Sequence, residues 1–250
     1  MLDQGLDQAA GLRGLLFAQP SIALHALALL PQQSAVWVAQ LAQGLREIGR
    51  QPVVVDAARG AVTGAFSLRP RHDLIDLLQG RAHFDQVAQA SREGIHVLRA
   101  DRGIEAFVAS GAPARDLLAG FARLSHGFDD LLLAMPGTEL ACLADPADTV
   151  PLLAIEADGR GVMESYGLLK QLAQDFGYRR IACVVTGAAH ESAAREAFER
   201  VAGACSRFMP AQAHWASWLP ASATQARHCA AGVARALLHL TAATAPALAA

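Results

Sequence analysis

Ile22-Ala-Leu-His-Ala-Leu-Ala-Leu-Leu30-Pro31-Gln-Gln-Ser-Ala35 is an apolar run that ends in a short polar loop. The next stretch is helical in period, with Trp37, Leu41, Leu45 and Ile48 on one stripe. A second apolar run, Pro52-Val-Val-Val-Asp56, completes a strand–loop–helix–strand unit of the kind that opens nucleotide-binding α/β domains. Yet the loop has neither glycine nor lysine. A phosphate-binding loop works because glycines let successive backbone N–H groups converge on phosphate oxygens while a lysine neutralises the charge. Pro31 has no N–H, and Gln32 and Gln33 carry Cβ atoms expected to resist glycine-type backbone angles. The scaffold reads as intact and its phosphate chemistry as deleted.

Outward from this unit, strands and helices alternate. Strands are expected at Ile22–Leu30, Val53–Asp56, Ile95–Arg99, Asp130–Met135, Pro151–Ile155 and Arg180–Val185, with a seventh at Ala213–Leu219. Each is short and apolar throughout, as strands covered on both faces must be. Helices are expected at Ala35–Ile48, Asp73–Gln79, Pro113–Arg123, Gly161–Phe176, Ser192–Arg207 and Ala221–Leu240. The fold class is therefore α/β, a mainly parallel sheet of about seven strands with helices on both faces. Residues 19–240 form that domain in this reading, and 241–250 fray. Residues 1–18 differ: Leu2, Leu6, Ala9 and Leu16 share a helical face, but Gly5, Gly11 and Gly14 each cost about 1 kcal/mol in a helix. They are expected to be a mobile segment that orders on a partner.

Composition narrows the function. Of 250 residues, 53% are apolar and 18% charged, which describes a large buried core, and a net charge of -2 gives no reason to expect nucleic-acid or membrane binding as the main task. The longest apolar run falls well short of the about 20 residues that span a bilayer. Cys142, Cys183, Cys205 and Cys229 show no metal-binding or redox spacing and read as reduced thiols of a cytoplasmic protein.

Four stretches in one order resemble the MinD/ParA family of deviant-Walker ATPases, and within it the FlhG (FleN) regulators of flagellar number and placement. Asp7-Gln-Ala-Ala-Gly-Leu-Arg13 is similar to the DQAxxLR motif of the FlhG N-terminus. Leu68–Arg81 resembles the stretch after the second strand, Gly94–Leu98 the third strand, and Val162–Leu172 with Phe176–Arg180 a later helix and its turn. The resemblance implies a P-loop NTPase-like fold of MinD type. Intact relatives use ATP and Mg²⁺, which drive dimerisation and membrane attachment through a C-terminal amphipathic helix. Here the departures fall on one site. Leu29 and Ser34 stand at the lysine positions, Ala35 replaces the Mg²⁺-holding Thr, and Asp56 survives while Ala58 takes the place of the second Asp. Ala134 and Met135 replace the Asp-Thr switch, and Gly187 the adenine-contacting Asn. Phosphoryl transfer depends on such positioned charges, so a pseudo-ATPase without cofactor is expected.

The resemblance also implies a partner. In FlhG proteins the N-terminal motif contacts the signal-recognition-type GTPase FlhF and stimulates its GTP hydrolysis, which points here to Asp7, Gln8, Ala9, Leu12 and Arg13 as partner-binding residues. Other flagellar assembly proteins are further candidate partners. Gln225–Leu240 carries Arg227 and Arg235 as its only fixed cations, thin support for a membrane-surface helix. The remaining polar residues read as structural: Asp56 as an acceptor of backbone N–H groups, Glu191 or Ser192 as a helix cap after His190, and Trp215 and Trp218 as packing. Glu156 and Asp158 lie where α/β folds bind ligands, and Gly159-Arg-Gly161 is a weak phosphate-nest pattern. Three alternatives stay open: an ATPase with a rearranged site, an accessory of another envelope machine such as cellulose secretion or pilus assembly, and a small-ligand module with a dry apolar cleft near Leu29, Ala58 and Ala134.

Overall fold

Side chains alternate across a strand, so a strand apolar at every position must be covered on both sides. This rule builds the molecule, seen in a computed structural model that describes residues 22–112, 117 and 127–242. Asp7–Arg13, the expected segment 1–18, nearly all of the helix expected at Pro113–Arg123 and residues 243–250 lie outside the described residues. The elements in order are β1 (Ala23–Leu29), α1 (Val36–Glu47), β2 (Pro52–Asp56), α2 (Ala61–Ala65), α3 (Leu74–Leu78), α4 (Phe84–Val87), β3 (Ala88–Ala90), β4 (His96–Arg99), α5 (Asp101–Ala109), β5 (Asp130–Pro136), α6 (Gly137–Leu140), β6 (Leu152–Glu156), α7 (Gly159–Gln174), β7 (Arg180–Thr186), α8 (Glu191–Phe208), β8 (Gln212–Leu219) and α9 (Ala223–Ala242). One eight-stranded sheet runs β3-β4-β2-β5-β1-β6-β7-β8. All pairings are parallel except β3 on β4.

The expected count of about seven strands is thus eight. The extra one, β3, is a three-residue antiparallel edge strand, too short to show a period. Helices α2, α4 and α6 were not expected for the same reason. The longer α5 was missed because Gly103 interrupts its pattern. That glycine is a contact point: a Cβ there would lie 2.6 Å from the Leu74 Cβ. Gln32 overturns another expectation, because its φ is +66° despite its Cβ. The cap of α8 is His190, whose Nδ1 accepts from the Ala193 N–H at 3.2 Å; neither Glu191 nor Ser192 caps it. Instead, Glu191 pairs with Arg195.

Each sheet face has its own apolar layer. Leu27, Val54, Leu132, Ala154 and Val184 meet Trp37, Leu41 and Leu45 of α1 and Val233, Ala234 and Leu237 of α9. On the other face Ala28, Val55, Leu133, Leu153 and Val185 meet Leu168 and Leu172 of α7 and Phe198 and Val201 of α8. Trp215 packs edge-on against Phe198, with ring centroids 5.4 Å apart, and the Arg195 guanidinium lies over its ring. Among the described residues no helix is long and apolar enough to cross a membrane. The apolar side of α9 is buried within the fold, and Cys183 and Cys205 are buried free thiols.

At the amino edge of the sheet a buried carboxylate ties three segments. Asp130 accepts from His25 Nε2 at 2.8 Å, from Arg50 Nε at 2.8 Å and from Arg50 Nη2 at 3.0 Å. Burial works to raise the Asp130 pKa, but the hydrogen bonds and charges of His25 and Arg50 together outweigh it and hold the carboxyl below the usual carboxylate range. A depressed folded-state pKa stabilises the fold above the unfolded carboxylate value of about 3.9, and that contribution fades as pH falls through the lower folded value. Asp130→Ala is expected to cost on the order of 3 kcal/mol at pH 7, because it leaves the Arg50 and His25 donors without their acceptor. Urea unfolding at stepped pH checks this, with the wild-type advantage shrinking below about pH 4.

Helices α1 and α9 approach closely at Gly44, where a Cβ would lie 2.2 Å from the Ala230 carbonyl oxygen. Gly44→Ala is expected to destabilise by about 1–3 kcal/mol through overpacking. Gly203→Ala on α8, where a Cβ would meet nothing within 4 Å, is expected to be neutral or to stabilise by up to about 1 kcal/mol. Denaturation midpoints of the two variants separate the contact from helix propensity.

Candidate ligand crevice at the switch point

Strands β1 and β6 are neighbours, yet their chains leave in opposite directions: β1 crosses through α1 toward β2, and β6 through α7 toward β7. The two helices lie on opposite faces. This divergence opens a crevice at the carboxyl ends of the strands, the usual ligand position in open α/β sheets. Two clefts occupy it. One, about 200 Å³, is lined by Leu30–Gln33 and by Glu156, Asp158, Arg160 and Glu164. The other, about 320 Å³, is lined by Ser34, Val36, Trp37 and Gln40 of the first crossover, by Glu156 to Asp158, and by Thr186, Gly187 and Leu219 to Ala221.

Gln33 closes the floor between β1 and β6. Their last paired residues are Ala28 and Leu153. Just beyond, Gln33 Nε2 donates to the Ala154 carbonyl at 3.0 Å, and its Oε1 faces the Leu30 N–H at 3.5 Å. A side-chain amide, donor and acceptor at once, therefore takes the position of the next rung of the ladder. The Ser165 hydroxyl, buried on α7, also donates to Ala154 at 3.3 Å. The left-handed Gln32 turns the loop so that Gln33 folds inward.

Of the expected site residues, two line this crevice and five lie outside its lining. Leu29 and Ala35 are buried beside α1. Ser34 and Gly187 line the larger cleft from opposite sides. Asp56, Ala58 and Ala134 lie at the β2–β5 junction, where Asp56 and Ala134 are in register. The two clefts of the crevice carry carboxylates, while a third cleft of about 340 Å³ lies beside the β2–β5 junction, lined by Ala57, Ile104, Val108, Ala109 and Met135 together with charged residues. Asp56 is 0% exposed and accepts from the Ala58 N–H at 3.0 Å and from the Thr63 N–H and hydroxyl, each at 2.6 Å. Gly159-Arg-Gly161 is the first turn of α7, capped by Asp158 Oδ1 on the Gly161 N–H at 2.6 Å. Arg160 is held by Glu164 at 2.6 Å, and that bond keeps its guanidinium above its ordinary range.

These residues do not fit a magnesium triphosphate. Gln33 fills the backbone gap where a loop would turn its N–H groups on phosphate. Glu156 and Asp158 repel an anion, and Asp56 is sealed in by three internal donors. Among the described residues no group of three or more His, Cys, Asp or Glu is placed to hold a metal ion. Gln33 and Trp37 are the residues that sequence reading missed as parts of the crevice, since nothing in a glutamine's neighbours announces which strand its side chain will reach. Gln33→Ala is expected to cost about 1 kcal/mol. It should also speed amide exchange at Leu30 and its loop, as hydrogen exchange resolved by NMR would show.

No family model matches the chain. It is similar to the antiactivator FleN of Pseudomonas aeruginosa, 24% identical over 186 residues, which are 72% of this chain and 66% of that protein. The chain thus spans just under two thirds of the length of this curated relative. Among solved structures it is similar to MinD in the MinC:MinD cell division complex of Aquifex aeolicus, with a TM-score of 0.63, 17% identity and coverage of 87% of this chain and 96% of that one. Cobyrinic acid a,c-diamide synthase of Mycobacterium smegmatis with ADP and magnesium gives a TM-score of 0.62 at 18% identity, over 92% of this chain and 100% of that one. A plasmid partition protein of Borrelia burgdorferi gives 0.57 at 11%, over 88% and 99%. Strand order and crossover pattern are those of the MinD/ParA-type fold, and the sequence likeness is to FleN.

Proposed function

We propose that the chain is a non-catalytic FlhG-like regulator of flagellar number or placement, which binds an FlhF-type GTPase through Asp7–Arg13 and stimulates its GTP hydrolysis. The observation that carries the non-catalytic part is Gln33, whose amide bridges Leu30 and Ala154 at the point where a nucleotide-dependent relative needs glycines and lysine. The sequence likeness to FleN supports the regulatory setting. The Asp7-Gln-Ala-Ala-Gly-Leu-Arg13 motif supports the partner. Asp and Gln suit a GTPase-stimulating segment because GTP hydrolysis is accelerated by groups that position the attacking water or the switch residues around it.

In this reading the α/β domain is a fixed platform in the cytoplasm and its interactions are constitutive. Membrane contact is weak or absent, because α9 uses Ala230, Val233, Ala234 and Leu237 for packing. GTP turnover by the same organism's FlhF, measured with and without the full chain, tests the proposal. Stimulation of about tenfold or more is expected, lost in Asp7→Ala/Gln8→Ala and unchanged by ATP. An intact chain that leaves FlhF turnover unaltered, or that stimulates only with ATP, overturns it.

A further inference from the structure

The larger cleft carries chemistry that neither packing nor the FlhF reading uses. Glu156, at the end of β6, is half-buried and lines both clefts. It makes no hydrogen bond or ion pair among the described residues and acts on Arg160 of the smaller cleft only through its charge, and it is wedged against α7, where a Cβ on Gly161 would lie 2.4 Å from its own. Asp158 beside it is committed to the α7 cap. Trp37 lines the same cleft from α1. It is 3% exposed, and its Nε1–H has no hydrogen-bond partner. A buried donor left without a partner costs roughly 1–3 kcal/mol unless something else supplies the acceptor. The third component is apolar: Val36, Leu219 and Pro220.

We infer that this cleft binds a ligand with an ammonium group, a carbonyl oxygen and an apolar body. The ammonium pairs with Glu156, the carbonyl accepts from Trp37 Nε1, and the apolar part lies on Val36, Leu219 and Pro220. Two carboxylates with no cation among the residues lining this cleft select against phosphates and for a cation. Its volume, about 320 Å³, suits a compact molecule or the first residues of a chain. Both a free aminoacyl amide and the N-terminus of a protein offer this chemistry. The inference is independent of the FlhF reading, since it concerns a different part of the molecule.

The test is a titration of the ¹⁵N-labelled full chain, following the Trp37 indole N–H resonance. Assignment uses Trp215→Phe and Trp218→Phe, which leave Trp37 in place. Leucinamide stands for the free compound, a Leu-Ala-Ala peptide amide for a protein N-terminus, and N-acetyl-leucinamide for the same body without the cation. Either of the first two is expected to shift the Trp37 resonance saturably below about 10 mM, the tighter one naming the source. Glu156→Gln, folded as judged by its remaining spectrum, should weaken that binding about tenfold or more. The inference is overturned if neither probe gives a saturable shift, if N-acetyl-leucinamide binds equally well, or if Glu156→Gln binds like wild type.

Discussion

Where two neighbouring parallel strands send their chains to opposite sides, the backbone beyond the last rung loses its partners, and something must enter to satisfy it. Everything distinctive here stems from that constraint at β1 and β6. A ligand is one way to meet it. This chain meets it with Gln33, whose amide supplies a donor for the Ala154 carbonyl and an acceptor facing the Leu30 N–H. Because one side chain serves both strands, the loop has an internal reason to hold its shape. The left-handed backbone at Gln32 is the local cost of turning that side chain inward.

The same logic accounts for the acid that survives. Asp56 stands at the end of β2, and its oxygens are turned onto the Ala58 and Thr63 groups just after it in the chain. A carboxylate with three donors and no exposure organises a turn. Its partners come from its own loop. In the larger cleft the opposite holds. Glu156 and Trp37 both line it: the indole N–H has no hydrogen-bond partner among the described residues, and the carboxylate acts on Arg160 only through its charge. Unmet polar groups in a shaped cleft point outward to a ligand, and met ones point inward to the fold.

Most of the sheet was legible because its strands are buried on both faces and read as continuous apolar runs. The seven expected strands all appear, each with one or both ends shifted by a residue. What escaped was whatever depends on one side chain meeting a distant one. Gly103 sits inside α5, and its lack of a side chain is what lets that helix lie on Leu74. His190 was passed over as a cap because imidazole is an uncommon acceptor at that position, and only the observed ring shows Nδ1 turned to the Ala193 N–H. Of the crevice, the sequence revealed the missing lysine and glycines, but not that a glutamine four residues past the strand would fill the space.

The C-terminal helix shows how far one contact reaches. In the resemblance, the end of the chain is a membrane-surface helix that works with nucleotide-driven dimerisation. Here α9 lies along α1 with Gly44 under the Ala230 carbonyl, and its apolar stripe, from Ala226 to Leu237, forms part of the core over β7 and β8. Each large apolar side chain kept from water in this way is worth about 1.5–3 kcal/mol. Moving the stripe onto lipid would therefore uncover α1 and the sheet beneath it. Since α1 also carries Trp37 and comes directly after the Gln33 loop, α9 clamps the crevice from behind. A helix engaged in that way stabilises the site.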